Sequence, residues 1–390
     1  MRIASIDILR ALTMVLMIWV NEFWSLINIP KWLKHASASE DYMGFSDIIF
    51  PLFLFIVGLS IPYAIQHRLA KKESRLLIAK HIVIRSISLL LIGVFMVNYE
   101  SAYHESIFLG KYVWCILMAT AVVLIWMNWK RSPVPQKWHI YFQITGFLIL
   151  IFLAVIYKGG SQGENWMETH WWGILGLIGW AYIINALIYL YSKNSISVMV
   201  IAWILFNVLS VLNQTHDGIF RNDVTRIFST LYSGTIPAFT TAGVVATLTF
   251  KKLSKDNIKW CYVLLISLGV ANIAYGLLTR SYWGISKIQG TPSWLAICTG
   301  IGFFMFVLLY YIADVKKQTG WATVIGAAGT ATLTCYMIPY FLYPLYNITG
   351  LKLPDFLNTS IIGLLVSFGF ALLVVFFTGW LERKGYKLKL

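Results

Sequence analysis

Residues 32–58 read WLKHASASEDYMGFSDIIFPLFLFIVG, a polar stretch that runs directly into an apolar segment. The polar part carries one histidine and three carboxylates, whereas the residues that follow Asp47 are apolar almost without interruption. About 20 apolar residues are enough for a helix to cross the hydrocarbon core of a bilayer. The stretch therefore predicts a membrane-spanning helix with reactive side chains grouped at its N-terminal end.

The whole chain repeats this apolar pattern. Of its 390 residues, 58% are hydrophobic and 12% are charged, whereas a soluble globular domain has about 25% charged residues. The mean hydropathy is +0.71. Twelve apolar segments of spanning length lie at residues 8–28, 46–66, 77–97, 112–129, 139–157, 171–191, 195–213, 233–250, 259–278, 294–312, 321–342 and 359–380. We therefore predict an all-α fold, a polytopic transmembrane bundle of about 11–12 helices. We expect it to form a single domain over residues 1–390.

The positive charges are distributed unevenly between alternate loops. The net charge is +15, from 31 Lys and Arg against 16 Asp and Glu. If the N-terminus is cytoplasmic, 21 of the basic residues lie on the cytoplasmic side and nine on the other, with Arg85 inside a segment. This asymmetry fits the positive-inside rule with both termini cytoplasmic. Since topology explains the basicity, we expect no nucleic-acid partner. We expect a multi-pass protein of the cytoplasmic (inner) membrane whose His35 loop faces outside.

Two charged residues open the first apolar segment. Asp7 and Arg10 are three residues apart, so a helix puts them on one face. Because either charge alone would cost about 2.5–3.5 kcal/mol at the bilayer centre, we expect each to have a partner. Two interpretations stay open: an ion pair that holds the helix end at the cytoplasmic interface, or a contact with a phosphate-bearing ligand. The segment lacks a small-residue cleavage site, so we expect it to stay attached rather than act as a secretory leader.

The outer end of the same segment is followed by the side chains best suited to catalysis. Asn21 carries an amide that can donate to a carbonyl oxygen that becomes negative in acyl transfer. His35 follows in the loop, and Ser46 and Asp47 begin the second segment, where either can cap the helix. Asp47 can instead accept from one imidazole nitrogen and leave the other to take a proton. A lone external histidine is more often a bystander, so the neighbouring carboxylate is what favours a catalytic role.

The remaining histidines and the cysteines do not form a metal motif. His104, His170 and His216 each lie near carboxylates, yet none has the i, i+4 partner of a helical zinc pair. The four cysteines fall inside apolar segments without paired spacing, which is typical of small core residues. The sequence lacks a G-x-S-x-G nucleophile elbow, since its GGSQG at residues 159–163 lies in a polar loop, and it lacks GxGxxG and Walker A motifs. We expect no metal ion, and these patterns disfavour serine hydrolases and nucleotide hydrolases.

The N-terminal motifs resemble those of a known family. Residues 5–23 read SIDILRALTMVLMIWVNEF and residues 34–62 read KHASASEDYMGFSDIIFPLFLFIVGLSIP. They are similar to the D-x-x-R-G, V-N, K-H-A-S and A-D-L-V-F-P-F-F-L-F-I-x-G series of the heparan-alpha-glucosaminide N-acetyltransferase family. Ala11 stands where that series has glycine, and NEFW stands where glycines follow the asparagine. A weaker family-like stretch, KIQGTPSW, precedes the tenth segment.

The resemblance implies an enzyme that moves an acetyl group from cytoplasmic acetyl-CoA to an amino sugar or other glycan acceptor on the external face. It implies that His35 is the catalytic histidine, Asn21 an active-site asparagine and Asp47 the aspartate of the second motif. Asp7 and Arg10 match the charged pair that opens the first helix, and we assign them to binding of the acetyl-CoA. His35 would act as general base and Asn21 as oxyanion donor, either in direct transfer or through an acetyl-histidine intermediate.

A transporter or flippase for a sugar, lipid or small anion is the alternative function. Twelve spans with both termini inside is a common carrier plan, although the sequence shows no clear repeat between its halves and little mid-span charge beyond Arg85. A catalytically inactive relative is a further alternative. The sequence does not select an acceptor, and it is compatible with a homo-oligomer.

Overall fold

The computed structural model describes residues 3–103, 107–215, 227–254, 257–351 and 353–390. Within these ranges the regular secondary structure is helical, and β-structure is limited to isolated bridges such as that between Ile27 and Thr359. The prediction of an all-α fold is confirmed.

Twelve helices of more than eight residues build the described part of the chain. They are α1 (Ala4–Asn21), α2 (Ser46–Ala70), α3 (Arg75–Glu100), α4 (Lys111–Trp126), α5 (His139–Val155), α6 (Gly173–Tyr191), α7 (Ile196–Thr215), α8 (Thr235–Leu253), α9 (Ile258–Leu278), α10 (Pro292–Leu309), α11 (Pro339–Thr349) and α12 (Ser360–Arg383). The shorter helical segments are Glu22–Trp24, Lys31–Leu33, Trp129–Arg131, Gln136–Trp138, Ser229–Tyr232, Arg280–Trp283, Tyr310–Val315, Gly320–Thr323, Gly326–Thr330, Thr332–Met337 and Asp355–Asn358.

The helices have the length and composition of membrane spans. In the described residues, nine helical stretches are long and apolar enough to cross a bilayer, and they contain α1, α2, α3, α5, α6, α7, α9, α10 and α12. Helix α4 is a shorter apolar helix of 16 residues. The prediction of a polytopic transmembrane bundle is therefore confirmed.

The segment expected at residues 321–342 is a run of short helices instead of one continuous span. Ala331 interrupts the run with φ −121° and ψ 46°, outside the helical region. Pro339 starts α11, since proline is tolerated in the first turn of a helix but disrupts a helix interior. Hydropathy alone recognises such a segment but not its breaks.

The chain divides into two compact units. Unit 1 contains Met1–Thr13, Pro30–Ile87 and Leu177–Trp321, and unit 2 contains Met14–Ile29, Ser88–Gly176 and Ala322–Leu390. Three of the five boundaries fall within α1, α3 and α6. A single functional domain over residues 1–390 stays a prediction.

In unit 1, helices α2 and α8 approach each other closely through small residues. A Cβ atom on Gly58 would lie 1.9 Å from the carbonyl oxygen of Thr240, and one on Gly243 would lie 2.0 Å from that of Phe55. The Thr240 hydroxyl also donates to the carbonyl of Leu54 at 3.1 Å. Backbone approach and hydroxyl bonds of this kind hold helices together where a hydrophobic driving force is weak. They fix α2, whose first turn carries Asp47.

In unit 2, close packing again depends on glycine and on buried aromatic side chains. A Cβ atom on Gly93 of α3 would lie 2.5 Å from the backbone nitrogen of Gly176. The indole of Trp114 in α4 is fully buried and donates to the carbonyl of Leu153 in α5 at 3.0 Å. These contacts join α3 to the start of α6, and α4 to α5.

Several helices present large apolar side chains outward. Ile151 on α5, Leu205 on α7, Val270 on α9 and Phe376 on α12 are each more than half exposed. Soluble monomers rarely expose apolar surface on so many elements. We infer that these faces contact lipid.

Candidate active site

Two segments of unit 1 surround the predicted residues His35 and Asp47. Residues 30–45 precede α2, and residues 280–291 precede α10. Asp41 links them, because its carboxylate accepts from Arg280 Nε at 2.9 Å and from the backbone N–H of Ile285 at 2.6 Å. The backbone N–H of Tyr42 in turn donates to the carbonyl of Ile285 at 3.1 Å. We call this set of contacts the Asp41 clasp.

The Asp47 carboxylate, in the first turn of α2, is held by backbone donors from the preceding loop. Its Oδ2 atom accepts from the N–H of Ala36 at 3.0 Å and from the N–H of Gly44 at 3.1 Å, and the residue is fully buried. Gly44 must be glycine, since a Cβ atom there would lie 1.9 Å from the carbonyl oxygen of Lys34. The loop therefore folds tightly around a buried negative charge.

His35 contacts the other oxygen of the same carboxylate. Its Nδ1 lies 2.7 Å from Asp47 Oδ1. An ionised carboxylate has no proton to donate, so the hydrogen-bond network assigns the proton to Nδ1 and the lone pair of the neutral ring to Nε2. The side chain of His35 is 23% exposed, which leaves part of the ring accessible. This is the arrangement that the sequence predicts for an oriented general base.

Lys287 is a third charged member of this site. Its Nζ lies 3.7 Å from Asp47 Oδ1 and 3.2 Å from His35 Nδ1. An ammonium group cannot donate to a nitrogen that already carries a proton, so its favourable interaction is with the carboxylate. Desolvation by burial lowers the pKa of the Lys287 amine, and the charge of Asp47 opposes that effect only in part. The site thus combines an imidazole, a carboxylate and an ammonium group whose pKa lies below its ordinary value.

Neither Ser46 nor Asp47 caps α2, which was the alternative role considered for these two side chains. Phe45 occupies the cap position without a side-chain hydrogen bond. The hydroxyl of Ser46 donates to the carbonyl of Leu33 instead. Trp294 in α10 donates its indole N–H to the backbone carbonyl of Asp47 at 3.2 Å, which ties α10 to the start of α2.

Asp7 and Arg10 lie together at the start of α1, as the spacing predicts. Arg10 Nη1 is 3.2 Å from Asp7 Oδ1, and Arg10 Nη2 donates to the hydroxyl of Ser60 at 2.7 Å. The carboxylate of Asp314 accepts from the N–H groups of Ala4 and Ser5, both at 2.9 Å, and so satisfies two of the free N–H groups at the start of the helix. The side chains of Asp7 and Arg10 are each 26% exposed, so they pair with each other and still offer surface to a phosphate group.

Asn21 belongs to unit 2, where it lines a cavity of about 140 Å³. We call this space the tyrosine cavity, and its polar lining residues are Asn21, Tyr99, Glu100, Tyr336, Tyr340 and Tyr343. Next to Asn21, the carboxylate of Glu22 accepts a short hydrogen bond from the Tyr343 hydroxyl. The structure thus pairs His35 with Asp47 and Asp7 with Arg10, and it assigns Asn21 to a cavity of its own unit.

In the described residues, no group of three or more His, Cys, Asp or Glu side chains is placed to hold a metal ion. His104 and His216, considered above as separate loop histidines, lie outside the described residues. The Nε2 atom of His170 lies 3.1 Å from the hydroxyl of Ser101.

Comparison with known proteins supports the resemblance. A family model described as heparan-alpha-glucosaminide N-acetyltransferase, catalytic, matches residues 2–153, which contain all five predicted site residues. The chain is 25% identical over 360 residues to heparan-alpha-glucosaminide N-acetyltransferase of Mus musculus, an alignment that covers 81% of this chain and 50% of the relative. It is 32% identical over 101 residues to the Homo sapiens protein of the same name, covering 25% of this chain and 14% of that relative. The chain thus spans about half the length of the mouse relative. The similarity predicted from the N-terminal motifs is confirmed.

Lys287 is the residue that sequence reasoning missed. It lies in KIQGTPSW, 240 residues after Asp47 in the chain. The signal available was its position four residues before Thr291, which caps the membrane-spanning helix α10 through its side chain. A single lysine in a loop belongs to no sequence pattern that predicts its partner, so its contact with Asp47 is seen only in the folded chain.

Proposed function

We propose that this chain, similar over residues 2–153 to the catalytic part of heparan-alpha-glucosaminide N-acetyltransferases, is a membrane-embedded acetyltransferase. It moves an acetyl group from cytoplasmic acetyl-CoA to an amino sugar or other glycan acceptor on the external face. The observation that carries the proposal is the 2.7 Å contact between His35 and the buried Asp47 carboxylate at the mouth of a membrane-spanning helix. In this proposal all 390 residues serve one catalytic domain.

His35 is the general base of the proposed reaction. Its Nε2 lone pair takes the proton that the acceptor amine or hydroxyl loses as its nitrogen or oxygen bonds to the acetyl carbon. Asp47 keeps the other nitrogen protonated and stabilises the imidazolium that forms. The proton on Nε2 then passes to the leaving sulfur as the carbon–sulfur bond breaks. A covalent acetyl-histidine route uses the same ring as nucleophile.

Asn21 is the proposed oxyanion donor, and Asp7 with Arg10 the proposed contacts for the donor substrate. Acetyl-CoA, when bound, supplies an acetyl group activated as a thioester. The guanidinium of Arg10 provides planar donors that suit phosphate oxygens. A side-chain amide such as that of Asn21 stabilises a developing oxyanion by about 2.7–4 kcal/mol in comparable sites.

The catalytic part of the proposal is tested by release of CoA. Purified protein in detergent receives radiolabelled acetyl-CoA and a panel of amino sugars, and both CoA and labelled acetyl-sugar are quantified. We expect stoichiometric release with at least one amino sugar. A transporter would instead move labelled solute into proteoliposomes without consuming the thioester.

The orientation is tested separately. The excess of Lys and Arg on alternate loops supports cytoplasmic termini, an inner-membrane location and an external His35 loop. The four native cysteines, Cys115, Cys261, Cys298 and Cys335, are buried, so they compete little for a polar thiol reagent. Cysteine introduced at the exposed Ser39 should be labelled from outside intact cells. Protection from outside with labelling after lysis contradicts the orientation.

A further inference from the structure

Arg85 is a positive charge within a membrane-spanning helix, and the proposed reaction does not use it. It belongs to α3, which begins at Arg75 and is long and apolar enough to cross a bilayer. At 1.5 Å per residue, Arg85 lies about 15 Å along the helix axis from Arg75. Because a charged side chain inside a span is costly, such residues normally have a partner or mark a binding site. The partner of Arg85 is therefore a question that the fold has to answer.

The described part of the chain gives Arg85 a ring contact but no oxygen acceptor. The central carbon of its guanidinium lies 4.9 Å from the centre of the Tyr182 ring in α6. Within the described residues, no hydrogen bond or ion pair joins the Arg85 side chain to an oxygen atom. By contrast, Arg10, Arg68 and Arg280 of the same unit each pair with a carboxylate. A ring face attracts the charge but leaves the five N–H donors of the guanidinium for a ligand.

The surface around Arg85 faces lipid. Ile84 and Ile87 are 51% and 57% exposed. The opposite face of α3 packs into the protein, because Ile78 and Ile82 belong to a buried cluster with residues of α6 and α7. An anion that reaches Arg85 over this surface comes to lie beside apolar side chains. That arrangement favours the phosphate of a phospholipid, whose acyl chains cover the exposed isoleucines, over a free phosphate ion.

The charges along α3 favour an acidic headgroup. Lys80 and His81 precede Arg85 by about one turn and are exposed. Residues 75–99 of the helix include no Asp or Glu. Helical side chains lean toward the N-terminus, so the Arg85 side chain extends toward the end of α3 that carries these basic residues. Clustered basic residues at a membrane surface attract acidic lipids.

We propose that Arg85 binds the phosphate of one acidic phospholipid, with the Tyr182 ring against the guanidinium and the acyl chains over Ile84 and Ile87. The planar guanidinium donates two parallel N–H bonds to phosphate oxygens. Binding at this surface requires neither acetyl-CoA nor an acceptor, so it does not depend on the proposed acetyltransferase reaction.

Lipid binding tests the proposal directly. Full-length protein is purified in detergent, stripped of lipid and titrated with phosphatidylglycerol or phosphatidylcholine, and native mass spectrometry measures the bound lipid. We expect one phosphatidylglycerol to bind at least about tenfold more tightly than phosphatidylcholine, because its headgroup has a net negative charge. Arg85→Met should weaken phosphatidylglycerol binding by about tenfold, and Arg85→Lys by about threefold, since lysine keeps the charge without the bidentate geometry.

Arg75→Met is the matched control, because it removes the same charge from the first turn of the same helix. Arg75 lies about 15 Å from Arg85 along the axis, beyond the Debye length of about 8 Å at physiological ionic strength. The control should therefore change phosphatidylglycerol binding by less than about twofold. Tyr182→Phe keeps the ring and should bind as the wild type does, whereas Tyr182→Leu should bind about threefold more weakly.

Thermal unfolding separates binding from folding. Without lipid, Arg85→Met should melt at or above the temperature of the wild type, since an apolar side chain replaces a charge on a lipid-facing surface. Phosphatidylglycerol should raise the melting temperature of the wild type and of Arg75→Met but not that of Arg85→Met.

Three results overturn the inference. Equal loss of phosphatidylglycerol binding in Arg85→Met and Arg75→Met shows general electrostatic attraction instead of a site. Equal binding of the two lipids by the wild type contradicts an acidic headgroup. If inorganic phosphate or CoA, added without lipid, stabilises the wild type but not Arg85→Met, the guanidinium binds a soluble anion instead.

Discussion

The His35 site of unit 1 and the tyrosine cavity of unit 2 hold their polar groups in different ways. In the His35 site, both oxygens of Asp47 are engaged, by His35 on one side and by two backbone N–H groups on the other. In the tyrosine cavity, the lining is mainly aromatic rings, prolines and Ile18, and Asn21 and Glu100 are its other polar residues. A network that is satisfied before substrate arrives suits proton transfer, because little reorganisation is needed during the reaction. A lined volume suits recognition of a ligand.

The largest effect that this comparison predicts is at His35. His35→Ala should reduce CoA release by about 10³-fold or more, since it removes the proposed base, while the melting temperature stays close to that of the wild type. His67→Ala, an exposed histidine of α2, is the control and should retain activity. Full turnover in His35→Ala excludes the assigned mechanism, and the His35 site then has no catalytic role.

Asp47→Asn should come next, with a loss of about 10³-fold in kcat, since the amide no longer selects the Nδ1–H form of His35. It should also cost about 3 kcal/mol of stability, because the buried donors that hold the carboxylate lose their acceptor charge. Thermal unfolding and CoA release measure both effects. Ser46→Ala, which removes only the bond to Leu33, should cost about 1 kcal/mol and keep activity. If Asp47→Asn retains kcat, Asp47 supports the loop only.

Asn21→Ala tests whether Asn21, in unit 2, takes part in the proposed reaction at His35. As an oxyanion donor Asn21 should contribute about 10²-fold to kcat, with little change in KM for the acceptor. If Asn21 only lines the tyrosine cavity, kcat and KM both stay close to their wild-type values. Steady-state kinetics with varied amino sugar separates the two outcomes. Asn347→Ala, exposed on α11, is the control.

Much of the fold and part of the site follow from local sequence. The apolar segments are contiguous, so their length alone predicts the spans. His35, in the loop before α2, and Asp47, in the first turn of α2, are 12 residues apart, so their contact was predictable from the motif. The tyrosine cavity was not, since its residues come from α1, α3 and residues 336–344, and neither apolar periodicity nor spacing relates these segments. The contact of Lys287 with Asp47 escaped prediction for the same reason.

Substitutions at Lys287 test the electrostatics of the His35 site. Lys287→Met should lower kcat by about tenfold, because the positive charge 3.7 Å from Asp47 is lost. Burial lowers the pKa of the lysine, so the ammonium group loses its proton at a lower pH than an ordinary lysine. We therefore expect wild-type activity to fall on the alkaline side below pH 10.5, and Lys287→Arg to extend it upward, since guanidinium stays charged.

The control for Lys287 is Lys34→Met, which makes the same change of charge in the neighbouring loop and should leave the pH profile unaltered. If the activity of Lys287→Arg falls at the same alkaline pH as that of the wild type, a group other than Lys287 causes the loss.

The smallest expected effect is at the Asp41 clasp, which joins the two loops of the His35 site without touching the imidazole. Burial alone would raise the pKa of Asp41, but hydrogen bonds from Arg280 and the Ile285 N–H together with the Arg280 charge lower it below 3.8. A lowered carboxyl pKa means that the clasp contributes in full above about pH 4 and is lost as the pH falls through the pKa of the folded state.

Because Asp41 is half exposed, Asp41→Asn should raise the acceptor KM by only about threefold. The same substitution should speed amide hydrogen exchange in residues 280–291 near neutral pH. The ratio of exchange rates between variant and wild type should approach one as the clasp is protonated, since the intrinsic pH dependence cancels in the ratio. Glu40→Gln removes the neighbouring Lys31 ion pair, which lies within one loop, and should leave that ratio at one. A ratio of one already near neutral pH shows that the carboxylate charge does not hold the loops together.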